Sequence, residues 1–304
     1  MELRHLRYFV AVVEAQSFTK AAEKLFIAQP PLSRQIQNLE QELGAPLFER
    51  GSRPLRTTAV GHFFYQQALK LLSNAEEIKL ITQRAGMTER TIQLGYSSSL
   101  LCGLLPRIVY LFRQQHPNLN IKLLELNGMA QIQALKEGRV DVCFGRVRIS
   151  DPAVKRVQLR EERLMAAVHS SHPFANQRRP ISLAELNDEQ IFSYPSQAGP
   201  GYAVQVKSLF LEYGLEPKRF AVLDCLQQSL GMVAAGEGIC IVPESVKMMQ
   251  FRHVNYLPLA DSAAVSPIYL IVRNDDEGQY TRPLFDCVYQ VYDLEAIEYD
   301  RRVF

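Results

Sequence analysis

The feature that most constrains this chain is a break in pattern near residue 90. Up to about residue 87 the apolar residues recur at helical spacing, and nothing reads as a strand. Beyond it, short runs rich in Val, Ile, Leu and Phe alternate with helical stretches. The runs are 91–96, 120–126, 140–146, 164–169, 190–194, 220–223, 239–242 and 267–272. Such alternation predicts βαβ units, mostly parallel sheet and helices on both faces. The 214 residues from Thr91 on are many for one such sheet. Two α/β lobes are therefore expected, 88–161 with 267–304 and 162–266.

In the helical part, Leu3, Leu6, Phe9, Val10 and Val13 mark a first helix. Ser17 offers an N-cap for a short second helix, Phe18 to Leu25. After a turn at Ile27 to Gln29, Pro30 and Pro31 fit only the first turn of a third helix, since neither donates a backbone hydrogen bond. That helix runs through Leu32, Ile36, Leu39 and Leu43 and stops at Gly44. A basic loop over 48–56 leads into a long helix, roughly 58–84. Its residues Phe64, Ala68, Leu71, Ala75 and Ile78 form a seam suited to a partner helix.

Composition narrows the class. The 304 residues are 47% hydrophobic and 22% charged, which excludes a disordered chain, a collagen and a small disulfide scaffold. No apolar run reaches the roughly 18 residues of a spanning helix. The first 16 residues carry charges inside their apolar pattern and no small-residue cleavage site, so they read as a folded helix. Five cysteines without CxxC spacing suit a reducing, cytoplasmic setting. The net charge is only +2, and residues 1–58, with eight Lys/Arg and six acids, also carry +2. That balance argues against a tight nonspecific polyanion binder. Placement says more, because Arg34, Arg50, Arg53 and Arg56 fall on the third helix and the loop after it.

Two short helices joined by a tight turn, the second polar on its outer face, form a helix-turn-helix candidate. Gln29, Ser33, Arg34, Gln37 and Asn38 can hydrogen-bond base edges; Arg pairs well with guanine, Gln and Asn with adenine. The polar face of any solvated helix looks similar. The loop tips the balance, since arginines three apart beside Gly51 and Pro54 can follow phosphates or enter a minor groove.

With these elements in view, residues 1–60 closely resemble the N-terminal domain of LysR-type transcriptional regulators. The matching segments are Leu3-Arg-His-Leu-Arg-Tyr-Phe-Val-Ala-Val, Ser17-Phe-Thr-Lys-Ala-Ala, Ala28-Gln-Pro-Pro-Leu-Ser-Arg-Gln-Ile, Leu39-Glu with Leu43-Gly, Leu47-Phe-Glu-Arg, and Leu55-Arg-Thr-Thr with Gly61. The rest of the chain is most similar to the subgroup that controls benzoate and catechol breakdown and senses muconate. Leu104-Leu-Pro-Arg, Phe144-Gly-Arg146, Ser150-Asp-Pro-Ala153, Arg160 and Ala234-Ala-Gly-Glu-Gly238 with Val242-Pro243 carry that likeness. It implies a winged helix-turn-helix (1–58), a dimerising linker helix (59–87) and a two-lobed, periplasmic-binding-protein-like α/β effector domain (88–304). It also implies a homodimer or homotetramer on an inverted-repeat operator, contact with RNA polymerase, and a cytoplasmic location. DNA would be touched by Gln29, Pro30, Pro31, Ser33, Arg34, Gln37, Arg50 and Arg53.

The effector would be a small carboxylate. Gly95-Tyr-Ser-Ser-Ser99 places serines before an expected helix, where free N–H groups and hydroxyls suit an anion. The loop 194–202, rich in glycine and proline, is its counterpart in the second lobe. By resemblance the effector site is Ser98, Ser99, Leu100, Gly128, Arg146, Pro200, Gly201 and Tyr202. Arg160 and Tyr292 form a second site for a benzoate-like ligand. Gly128 stands where the relatives present a threonine hydroxyl, and Cys225 near where a Glu is expected. A lost hydrogen bond costs about 0.5–1.5 kcal/mol. The expectation is therefore weaker muconate binding or a different carboxylate, an unrelated small anion included.

Other motifs have plainer readings. Ser17-x-x-Lys20 lies at a helix start, without the partner motifs of a penicillin-binding enzyme. His169 and His172 lack a third metal ligand. The cysteines read as small core residues. Gly236-x-Gly238 is a helix stop rather than a dinucleotide loop. No catalytic constellation, metal or cofactor is expected. A solute receptor fits residues 91–304 alone and leaves the N-terminal reader unexplained.

Overall fold

The computed structural model describes residues 1–304 except 50, 52, 53, 86–89, 178, 195–200, 280 and 300–304; the side chains of 77, 80, 81, 83–85 and 90 are also left aside. The chain divides into two compact units, Met1–Gln83 and Arg84–Phe304.

The first unit is helical. Helix α1 (Leu3–Ala15) ends where Gln16 turns left-handed, and α2 (Phe18–Lys24) starts at Ser17, whose Oγ accepts from Lys20 N at 3.4 Å. Helix α3 (Gln29–Leu43) has proline in its first turn and stops at Gly44, φ 68°. The chain returns through a short wing. Phe48 and Thr57 form an antiparallel bridge, and Glu49 N–H donates to Arg56 O at 2.9 Å. Leu55 N–H pins the wing to Gln16 O at 3.2 Å. The core holds Leu6, Phe9, Leu32, Ile36, Leu39 and Leu47, with the Phe9 ring centroid 5.4 Å from that of Phe48 and 5.2 Å from that of Phe64. Each such side chain contributes about 1.5–3 kcal/mol by leaving water.

Helix α4 (Ala59–Ala85) divides its apolar residues between two tasks. Ala68 is buried in the unit's own core and Phe64 packs on it, whereas Val60, Phe63, Leu71 and Ile78 stand exposed. The expected single seam is corrected accordingly: its first two members serve the helix-turn-helix. An added β-carbon on Gly61 would overlap the Leu47 carbonyl oxygen, so only glycine permits that approach.

The second unit is a continuous nine-stranded arrangement, β2-β1-β3-β9-β4-β7-β5-β6 with β8 beside β4. One sheet joins β1 (Arg90–Tyr96), β2 (Leu119–Glu125) and β3 (Val142–Gly145) to the first part of β4 (Val154–His169) and to β9 (Val265–Arg273). The other joins the end of β4 to β5 (Gln190–Ser193), β6 (Arg219–Val222), β7 (Ile239–Pro243) and β8 (Val254–Pro258). Helices α5 (Leu105–Gln115), α6 (Met129–Lys136) and α10 (Thr281–Leu294) cover the first sheet. Helices α7 (Leu183–Leu186), α8 (Tyr202–Glu212) and α9 (Leu226–Ala234) belong to the second.

Mostly parallel sheet is not what forms. β1–β2, β1–β3, β5–β6 and β5–β7 are parallel, but every pairing of β4 and β9 is antiparallel. The expected short strand 164–169 is only the end of β4. Its first half, VKRVQLREER, hides its strand character behind charges, whereas β8, VNYLP, is short and alternates poorly. Pairing passes from one sheet to the other between Arg163 and Leu164, where Leu164 N–H donates to Ala264 O at 2.9 Å.

Candidate functional site

On the first unit, α3 presents Gln29, Pro30, Pro31, Arg34 and Gln37 to solvent, with Ser33 half-buried. Gln29 and Ser33 lie one helical turn apart, and Gln29 Nε2 donates to Ser33 Oγ at 2.8 Å. Arg50 and Arg53 lie outside the described residues. Arg56 is exposed on the wing.

In the second unit the serine turn is not the start of an α-helix. Ser98–Cys102 is a single 3₁₀ turn, Leu100 N–H is already committed to Ser97 O at 2.9 Å, and α5 begins only at Leu105. The expected α-helix start is therefore corrected to a 3₁₀ turn, whose serines line the same cleft as Arg146. A cleft is lined by Ser97, Ser98, Ser99, Asn127, Gly128, Arg146, Val147, Tyr194 and Tyr202. Gly128 caps α6 at φ 51°, ψ −121°, a conformation suited to glycine. Gly201 is the N-cap of α8, and Pro200 lies outside the described residues. Tyr202 and Tyr194 are buried with ring centroids 5.1 Å apart. Burial pushes both phenols well above their ordinary range.

Arg146 is the centre of the site and only 2% exposed. Its Nε donates to Ser99 Oγ at 2.8 Å and its Nη2 to Glu162 Oε2 at 2.6 Å. Glu162 Oε1 also accepts from Ser245 N at 2.6 Å. Burial works against the Glu162 anion, but the Arg146 charge and these hydrogen bonds outweigh it and hold the carboxyl below its ordinary range. Arg146 Nη1 is buried with no hydrogen-bond partner among the described residues, as is the Tyr194 hydroxyl. Buried donors are normally satisfied. Two such donors lining one cleft suit an anion.

A second cavity shares Arg146 with it and is lined by Leu100, Gly103, Leu104, Leu105, Ile108, Phe144, Arg146, Arg160, Glu162, Ile268 and Tyr292. Arg160 stands 5.7 Å from the Tyr292 ring centroid, and its Nε lacks a partner among the described residues. Burial raises the Tyr292 phenol to about 12 against the opposing Arg160 charge. The structure thus unites Ser98, Ser99, Gly128, Arg146 and Tyr202 in one cleft and Arg160 with Tyr292 in the other. Leu100, expected in the first, lines the second. Ser97, Asn127 and Tyr194 belong to the segments expected to line the first cleft but are not among the expected site residues, and Glu162 lies outside every expected segment. Glu162 sits in a charge run, REER, that reads as surface, and only its place in β4 betrays it.

The remaining motifs have structural duties. Ser17 caps α2. His172 Nδ1 accepts from Phe174 N, and His169 Nδ1 meets Ser171. No cluster of three metal-binding side chains exists among the described residues. All five cysteines are free thiols.

A winged helix-turn-helix followed by a two-sheet α/β unit with a cleft is the order of a one-component regulator. The chain belongs to the LysR family. Residues 3–62 match the model for the bacterial regulatory helix-turn-helix protein of the lysR family, and residues 85–292 match the LysR substrate binding domain. It is 55% identical over 297 residues to the transcriptional regulator BenM of Acinetobacter baylyi, covering 97% of this chain and 98% of that one. It is 42% identical over 277 residues to CatR of Pseudomonas putida, covering 91% and 94%. The BenM effector binding domain with its effector benzoate superposes with a TM-score of 0.67 at 45% identity, covering 72% of this chain and 99% of that one. The chain is thus a DNA-binding transcriptional regulator of the benzoate and catechol subgroup, not an enzyme. No described helix is long and apolar enough to cross a membrane.

Proposed function

We propose that this regulator responds to a small carboxylate held in the Arg146 cleft, and that a benzoate-like anion occupies the Arg160–Tyr292 cavity. The observation that carries the reading is the buried, unpartnered Nη1 of Arg146 beside Ser98, Ser99 and the Tyr194 hydroxyl. A muconate-like dicarboxylate would use Arg146 and the serines at one end and the Gly201–Tyr202 segment, with Pro200, at the other. Gly128 offers no hydroxyl, which favours effectors that need none there, and an unrelated small anion is the alternative on that ground.

Arg146 lines both cavities, and Glu162 lies between Arg146 and Arg160. An anion in either cavity changes the field on the same ion pair, so each ligand alters the affinity of the other reciprocally. Closure of the lobes then biases the oligomer on DNA. In this reading α3 reads the major groove with Gln29, Pro30, Pro31, Ser33, Arg34 and Gln37, while Arg50 and Arg53 on the wing follow the backbone. The exposed apolar residues of α4 support a dimer on an inverted repeat in the cytoplasm, a tetramer being built from two such pairs, with RNA polymerase as the further partner.

Calorimetric titration of the full-length protein with cis,cis-muconate, benzoate and an aliphatic dicarboxylate, each with and without the others, tests the effector reading. Saturable binding that Arg146→Gln abolishes is expected; affinities that Arg146→Gln leaves intact would overturn it. Sequence-specific, salt-sensitive gel shifts that fail with Arg34→Ala test the interface.

A further inference from the structure

Phe26 lies in the turn between α2 and α3, three residues before the first residue of α3. Ile27 N–H donates to Ala22 O at 3.0 Å and Phe26 N–H to Glu23 O at 3.1 Å, the paired bonds of a Schellman motif. Phe26 occupies its left-handed position, φ 55°. Glycine is the usual occupant there, because a β-carbon crowds the following carbonyl. The Phe26 side chain is also 96% exposed, so it returns nothing by burial. Backbone and solvent both argue for glycine or asparagine at this position. A bulky apolar residue against both rules points to use on a surface the turn meets.

Location selects that surface. In helix-turn-helix proteins the start of the second helix enters the major groove, and Phe26 stands at that end of α3, beside exposed Gln29 and Pro30. Among the described residues, the other exposed large apolar side chains of the first unit are Met1, Leu3, Leu43, Val60, Phe63, Leu69, Leu71 and Ile78, none of them on α2, the turn or the start of α3. A lone exposed ring whose exposed neighbours along the chain include Glu23, Lys24 and Gln29 is no apolar docking patch for a second copy. It matches DNA, whose major groove has one apolar feature, the thymine 5-methyl group, which aromatic side chains contact.

We infer that Phe26 is a specificity-determining residue, its ring packing on a thymine methyl at the edge of the half-site read by α3. The inference rests on the family's DNA binding and not on the effector reading. To test it, the full-length protein selects a duplex from random-sequence DNA, and each thymine of that duplex is replaced in turn by uracil. One replacement per half-site weakens wild-type binding about fourfold, the value of one buried methyl. The same replacement is silent in Phe26→Asn and Phe26→Gly, which bind the thymine duplex about fourfold more weakly per half-site. Their slope of log affinity against log salt is unchanged, since no phosphate contact is lost, and they melt no lower than wild type. Variants that bind as tightly as wild type overturn the inference. So does a wild type insensitive to every uracil, a shallower salt slope, or a loss of affinity that tracks dissociation of the oligomer in ultracentrifugation.

Discussion

Replacing Glu162 by Gln keeps the shape of the side chain and removes its charge from a place where charge is decisive. The Glu162 carboxylate lies 2.6 Å from Arg146 Nη2 and 2.6 Å from Ser245 N, and the two side chains are 5% and 2% exposed. Deleting one partner of a buried pair costs about 3–5 kcal/mol, because the other charge stays buried without compensation. The amide oxygen of Gln retains one hydrogen bond, worth about 1 kcal/mol. The expected loss is thus about 2–4 kcal/mol in the second unit, measured by urea unfolding at pH 7. Tyrosine emission serves as the probe, since the chain has 13 Tyr and no Trp. The pH dependence carries a definite sign. The folded Glu162 carboxyl titrates below its ordinary value. Its contribution is complete above the unfolded pKa of about 4.3 and disappears as pH falls through the folded value. The gap between wild type and variant should close over that acid range. Joint replacement of Arg146 and Glu162 by Met should recover most of the stability. A single-variant loss below about 1 kcal/mol, or a double variant as unstable as the single, would refute the assignment of Arg146–Glu162 as a structural charge centre.

Other outcomes follow from local geometry. Ser99→Ala removes the oxygen that accepts from Arg146 Nε at 2.8 Å, so about 1–3 kcal/mol should be lost in the same urea experiment; an unchanged midpoint would contradict the bond. Gly61→Ala sets a β-carbon against the Leu47 carbonyl, which is backbone and cannot step aside. Calorimetry should show the helix-turn-helix transition lowered, by about 1–3 kcal/mol. Ser17→Ala deletes the cap of α2, whose 3.4 Å bond to Lys20 N is long. About 0.5–1 kcal/mol is expected, near the low end for N-caps, and thermal melts followed by circular dichroism would detect it.

The helical unit was readable almost residue by residue because its signals are local: a serine before a helix, prolines in a first turn, a glycine after the last. The positions of Ser99, Arg146, Arg160 and Tyr292 came from resemblance, and they meet because β1, β3, β4 and α10 converge. The ion pair was not readable. Arg146, just past the end of β3, and Glu162, on β4, are sixteen residues apart, and the charges around Glu162 look like solvent exposure until β4 is placed at the centre of the sheet. The wing arginines carry a strong sequence signal, but Arg50 and Arg53 lie outside the described residues.

Strand β4 runs on through both sheets, and β9 pairs antiparallel with its first half, the register shifting between Gln158 and Arg160. A paired ribbon resists shear and yields by twisting. The two sheets thus share one continuous strand, and Arg160 sits beside the point where its pairing with β9 is shifted. In the reading proposed above, an anion bound at Arg160 would act next to that shift and would twist β4 without any strand pairing being broken.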